Sequence, residues 1–228
     1  PSLTASLKDR TTRLRIGGNT VLASSDNGIE VTGSDAAQIE GNSVLLSGND
    51  GIHVEESQNI FVGGNLVVAS GRDGVHIRRA GGAQIIDNTV LLSGRDGVHA
   101  VGSDGLYIAG NFIVSSGRDG LCLRSAHGSN VQKNTVALSG RDGVHVRDSP
   151  RLSMAGHTVT ASGRDGVNLN NVAGVDLSGN NVTLSGRDGI HVANGRDLYI
   201  SGNFVAFSGR DGIYLRRVGS VSVDSNQV

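Results

Sequence analysis

Apolar and polar residues alternate along this chain in short runs that return at a fixed interval. Runs such as Val75-His76-Ile77 and Val144-His145-Val146 follow a Gly, and runs such as Leu106-Tyr107-Ile108 and Leu198-Tyr199-Ile200 precede an Asn. Two residues past each Asn position stands a β-branched residue: Val21, Val44, Val67, Val90, Ile113, Val136, Val159, Val182 and Val205. A period of two with β-branched inward positions predicts strands. Each unit reads as three short strands, separated by Gly-rich corners such as Ser-Gly-Arg-Asp-Gly.

The units are copies of one another. Gly28, Gly51, Gly74, Gly97, Gly120, Gly143, Gly166, Gly189 and Gly212 lie 23 residues apart, with no insertion or deletion. An Asn ladder from Asn19 to Asn226 keeps the same interval, with His157 in its one substituted rung. A Ser ladder from Ser24 to Ser208 is unbroken. The period predicts an all-β solenoid of about ten 23-residue coils spanning residues 1–228, with 1–13 as an irregular lead-in. A leucine-rich repeat is the alternative, because Leu106 to Ile113 also fits Leu-x-Leu-x-x-Asn-x-Leu. Its back face, however, would need a Leu-patterned stretch where this chain has Gly and β-branched residues.

Stacked rungs predict hydrogen-bonded side-chain ladders of Asn amides and Ser hydroxyls. The corner adds charge. Arg72, Arg95, Arg118, Arg141, Arg164, Arg187 and Arg210 form one column, and Asp50 through Asp211 form its neighbour. Like charges about 4.8 Å apart in water repel by roughly 0.9 kcal/mol per pair. The expectation is therefore a solvated network in which the two columns pair sideways. Calcium on the Asp column is the competing reading, disfavoured by the Arg neighbours and by the absence of a Gly-Gly-x-Gly-x-Asp repeat.

Composition narrows the function classes. A net charge of -1 argues against a dedicated nucleic-acid binder. No apolar run approaches the roughly 20 residues of a membrane-spanning helix. The single Cys122 excludes an internal disulfide framework. Aromatics make up 3% with no Trp, so the core must be aliphatic.

The 23-residue period and internal Asn ladder resemble the right-handed parallel β-helix of the pectin-lyase-like superfamily. The segment Asn88-Thr89-Val90-Leu91-Leu92-Ser93-Gly94-Arg95-Asp96-Gly97 is similar to coils of alginate epimerases. The epimerase motif Asp-Pro-His-Asp is absent, as are the polygalacturonase motifs and the pectate-lyase Arg-x-Pro-x-x-Arg. The resemblance implies a polysaccharide cleft on the outward face of the first strand. That face carries His53, His76, His99, Cys122, His145 and His191, all expected to be exposed. The candidate acid–base groups are Asp73 with His76 and Arg78, and Asp142 with His145 and Arg147. The candidate anion-binding residues are Arg78, Arg124, Arg147 and Arg216.

These constellations recur from coil to coil, whereas a catalytic site is normally unique. The leading expectation is a non-catalytic structural or carbohydrate-interacting module with an anionic polysaccharide as partner. A lyase, epimerase or hydrolase acting on an acidic glycan is the alternative, and a consensus-like or designed scaffold without a ligand is a third. No cofactor is expected. No metal is expected either, because side chains stacked on a flat sheet converge poorly on one ion. The module reads as part of a larger extracellular, cell-surface or periplasmic protein. An outward aliphatic stripe of Leu22, Leu45, Val68, Leu91 and Val114 suggests lateral association into a homo-oligomer.

Overall fold

The computed structural model describes residues 3–12 and 14–228, and for 4–12 the backbone alone. Every strand pairing among them is parallel, and partners throughout the regular coils are 23 residues apart, as in Val75↔Val98 and Val90↔Ile113. The chain is a right-handed parallel β-solenoid of about nine turns, with no helix among the described residues. The leucine-rich alternative falls away.

Three strand columns run along the axis. In one coil they are Val75–Arg78, Gln84–Ile86 and Thr89–Ser93. The third column forms a nine-stranded sheet of its own. The first and second columns merge late in the chain, where Val167–Ser178, Ile190–Ser201 and Ile213–Asp224 each run through both. The lead-in expected to be irregular is also a strand. Leu3–Thr12 pairs with Ile29–Asp35 and so extends the first column.

The core is a stack of aliphatic layers. Val75, Ile77, Ile85 and Val90 of one coil are fully buried, as are Val98, Ile108 and Ile113 of the next. Each such side chain contributes roughly 1.5–3 kcal/mol. Two Gly columns let the coils close. A Cβ on Gly97 would collide with Ile113 Cγ2 and the Gly120 carbonyl, and one on Gly94 would collide with the Gly71 carbonyl.

The Asn ladder forms as expected. Asn65 Oδ1 accepts both the backbone N–H and the side-chain amide of Asn42 at 3.0 Å, and the same amide donates to the Ile16 carbonyl at 2.9 Å. His157 keeps the row intact as a neutral ring. Its Nδ1 accepts the Asn134 N–H at 3.2 Å and its Nε2 donates to the Val131 carbonyl at 3.1 Å. The Ser ladder does not form. The hydroxyls of Ser47, Ser70, Ser93 and their successors are buried against the Gly column without a hydrogen-bond partner.

Candidate functional site

The Asp column overturns the expectation of a solvated ion-pair edge. Asp50, Asp73, Asp96, Asp119, Asp142, Asp165 and Asp188 are at most 5% exposed. Each gives Oδ1 to the backbone N–H of the Asp one coil on, at 3.0 Å from Asp73 to Asp96 and 3.1 Å from Asp142 to Asp165. The column is a second internal ladder, built from carboxylates. No ion pair joins it to the Arg column among the described residues.

Its second oxygens meet the His column, whose members are half-buried rather than exposed. His53, His145 and His191 bond the Asp of their own coil, at 2.9, 2.9 and 3.0 Å. His76 and His99 bond the Asp of the preceding coil, Asp50 at 2.9 Å and Asp73 at 3.1 Å. Their rings lie parallel with centroids 4.9 Å apart. This change of partner gives Asp50 two imidazoles and takes His99 from Asp96, while Asp119 has none in hydrogen-bond contact because Cys122 stands at the His position of its coil and His145 keeps Asp142.

Protonation follows the partners. Burial works against Asp50, yet bonds from His53 and His76 and the Asp73 N–H hold its carboxyl far below the usual range. Asp73 is lowered in the same way by His99. Burial and the charges of Asp96 and Asp142 push Asp119 up. The bond to Asp142 raises His145, and Asp50 and Glu55 raise His53 against its burial. Cys122 is wholly buried, and burial together with Asp96 and Asp119 drives its thiol upward.

The two proposed triads therefore differ. His76 turns from Asp73, 3.9 Å away, to Asp50, and its Nε2 is buried without a partner. Arg78 is engaged by Glu55 at 3.2 Å. His145 keeps Asp142 and its side chain is 22% exposed, but Arg147 pairs with Asp148 at 3.1 Å. Arg124 and Arg216 have no carboxylate partner among the described residues. Ligand atoms of Asp96, His99 and Cys122 lie within 4.8 Å of one another. A tetrahedral ion needs its ligands about 2.0–2.3 Å from one centre, and His99 Nδ1 is already committed to Asp73.

A second surface was missed at the sequence level. Of the expected outward stripe Leu22 is mostly exposed, at 53%, but from the next coil on the more exposed column lies one residue beyond. Leu45, Val68, Leu91 and Val114 are half-buried, while Leu46, Leu92, Leu138 and Leu184 are 55–58% exposed and Phe207 is 78% exposed. All nine residues of this column, Ala23 through Phe207, have φ between 54° and 61°. That left-handed turn breaks the strand alternation, so Leu92 points out instead of in. A left-handed conformation costs an L-residue about 1–2 kcal/mol. At the corner preceding the Asn ladder the chain meets the same demand mostly with Gly, as in Gly41, Gly64 and Gly110. Here it uses none. Large residues alternate with Ala23, Ala69, Ser115 and Ala161, so the leucines recur every 46 residues, a spacing visible in the sequence itself.

These side chains line an open groove of about 1240 Å³ that runs from Ser24 to Gly209 along the axis. The Arg column follows directly on its Gly edge. At one end Arg210 shares a hollow with Phe207 and Ser208.

The fold has solved relatives. The periplasmic alginate epimerase AlgG superposes with a TM-score of 0.77 at 17% identity, covering 93% of this chain and 61% of that one. The Azotobacter vinelandii mannuronan C-5 epimerase AlgE6 A-module gives 0.65 at 13% identity, covering 95% and 77%. A DFA-IIIase from Arthrobacter chlorophenolicus A6 in complex with GF2 gives 0.70 at 14% identity, covering 98% and 69%. The chain thus spans less than two thirds of AlgG, and at these identities the likeness concerns the fold. No curated protein sequence matches it. The family described as the right-handed beta helix region matches residues 6–136, 51–204 and 119–228, and with its parallel pairing and 23-residue register the chain belongs to that family.

Proposed function

We propose that this chain is a carbohydrate-interacting β-helix module that holds a linear acidic polysaccharide along its axis without transforming it. The observation that carries the reading is the Arg column: seven cations in consecutive coils from Arg72 to Arg210, none paired with a carboxylate among the described residues. A polymer with charges at regular intervals engages such a row many times over. The His face supports the non-catalytic part. Its imidazoles serve as rungs on buried carboxylates, and the pattern repeats without one distinct constellation. The solved relatives include two epimerases whose names state alginate and mannuronan as substrates, which supports the ligand class. The periplasmic description of AlgG supports an extracellular or periplasmic location.

A catalytic reading has one observation in its favour. His145 is bonded to Asp142 at 2.9 Å, partly exposed, and followed two residues on by Arg147. Incubation with acidic and neutral polysaccharides, scored for both binding and product, separates the readings. Salt-sensitive binding of acidic glycans with no product is the expected result. Product that disappears in His145→Ala would establish the enzyme, and no interaction with any glycan would leave a scaffold.

A further inference from the structure

We propose that the corner groove is where the acidic polysaccharide lies. Its sugar faces rest on Leu46, Leu92, Leu138 and Leu184, its anionic groups meet the neighbouring Arg column, and one disaccharide spans two coils. This inference rests on the reading of the chain as an acidic-glycan binder and gives that reading a site.

The leucines are the first argument. They occupy a left-handed turn and are more than half exposed, so they are unfavourable on both counts for the fold. Gly or Asn would relieve the backbone and remove apolar surface from water. At its other left-handed corners the chain uses Gly or mostly polar residues, as at Gly64, Glu56 and Asn59, and only this column carries Leu and Phe and has no Gly. Backbone strain repeated in coil after coil, with more than half of each leucine left in water, points to a surface kept for contact.

Spacing is the second. Large and small residues alternate, so the floor repeats every two coils, about 9.6 Å at one strand spacing per coil. An extended pyranose chain with a two-residue repeat has a period of this order. Each Leu then meets the apolar C–H face of every second sugar, and the Ala or Ser between them leaves room for the other.

Charge decides the occupant. A second copy of this chain docked groove to groove would bring a second arginine column into the interface, while the neighbouring Asp column of either copy is buried and cannot pair with it. An anionic polymer is attracted to the same column. The first-column face is a poorer cradle, because Glu55 and Asp148 already engage Arg78 and Arg147.

The test uses oligomannuronate and oligogalacturonate of graded length, with a neutral cello-oligosaccharide as control. Leu92→Asn with Leu138→Asn replaces both leucines by a residue that tolerates the left-handed turn. The expected result is an affinity lowered roughly tenfold or more together with a melting temperature equal to or above that of the parent. Arg118→Gln with Arg141→Gln should weaken binding and flatten its salt dependence, while Arg124→Ala with Arg147→Ala should leave it unchanged. Acidic oligomers that bind the parent and the groove variants equally, but not the Arg124/Arg147 variant, would overturn the groove and leave the glycan reading standing. No binding of any acidic oligomer to the parent would remove the reading itself. Sedimentation showing a dimer that the leucine variant abolishes, without glycan binding, would make the groove an interface between copies and overturn the proposal.

Discussion

The Nδ1 of His76 lies 2.9 Å from Asp50 Oδ2, across 26 residues of chain, and 3.9 Å from Asp73 in its own coil. That reach into the preceding coil, repeated by His99, concentrates imidazoles at Asp50 and leaves Asp96 without one. Asp119 lacks one because Cys122 fills the His position of its coil.

Asp50→Asn and Asp119→Asn should therefore act in opposite directions, although both keep the oxygen that accepts the next backbone N–H. Asp50→Asn removes the partner of two half-buried imidazoles and should cost on the order of 3 kcal/mol. Asp119→Asn removes a charge that its surroundings disfavour and should be neutral or stabilising at pH 7. The signs follow from linkage. Stability from the lowered Asp50 is present above its unfolded pKa and is lost as pH falls through the folded one. The raised Asp119 binds its proton more readily when folded, so its penalty is relieved as pH falls. Urea denaturation of both variants checks this, and equal loss in both would refute the assignment of imidazoles along the ladder.

His157 supplies a separate pH signature. Burial lowers it to about 4 from its ordinary 6.5. Between those values the unfolded chain binds more protons, so stability falls as pH drops from about 6.5 to 4, by up to about 3 kcal/mol. His53 and His145 are raised, so their contribution is complete below about 6.5 and is lost only as pH rises above it, outside this window. The difference between the parent and His157→Asn isolates the term. The variant should match the parent above pH 7 and exceed it at pH 4.5, measured by chemical denaturation.

Cys122 should resist alkylation in the folded protein. It is wholly enclosed, and its thiol is pushed up by burial and by Asp96 and Asp119. Iodoacetamide labelling should appear only with denaturant, at a rate that follows unfolding. Fast labelling of the native chain would place Cys122 outside the ladder.

Two substitutions grade the faces. Val90→Asp puts a carboxylate into a dry aliphatic layer and should cost several kcal/mol. His99→Ala takes the imidazole from Asp73 and should cost about 1–2 kcal/mol, because His99 is a bonded rung and not a free surface group. Melting temperatures in the order parent, His99→Ala, Val90→Asp are expected, and a neutral His99→Ala would show that the His column carries no stability.

The solenoid, its 23-residue register, the inward position of Val90 and the Asn ladder are all legible in the order of residues. Each of these is a local pattern repeated at a constant interval, and stacking a repeat on itself leaves one way to bury its β-branched face. Tertiary structure decided what the corner side chains do. Period-two reasoning places Leu91 outward and Leu92 inward, but a φ of 57° at Leu92 turns that side chain outward too, and it is the more exposed of the two. Arg95 and Asp96 are neighbours that read as partners. Asp96 is instead drawn inward, where its carboxylate accepts the N–H of Asp119 at 3.0 Å. Whether a His bonds its own coil or the one before depends on side-chain rotation between strands about 4.8 Å apart, and nothing in the order of residues encodes that choice.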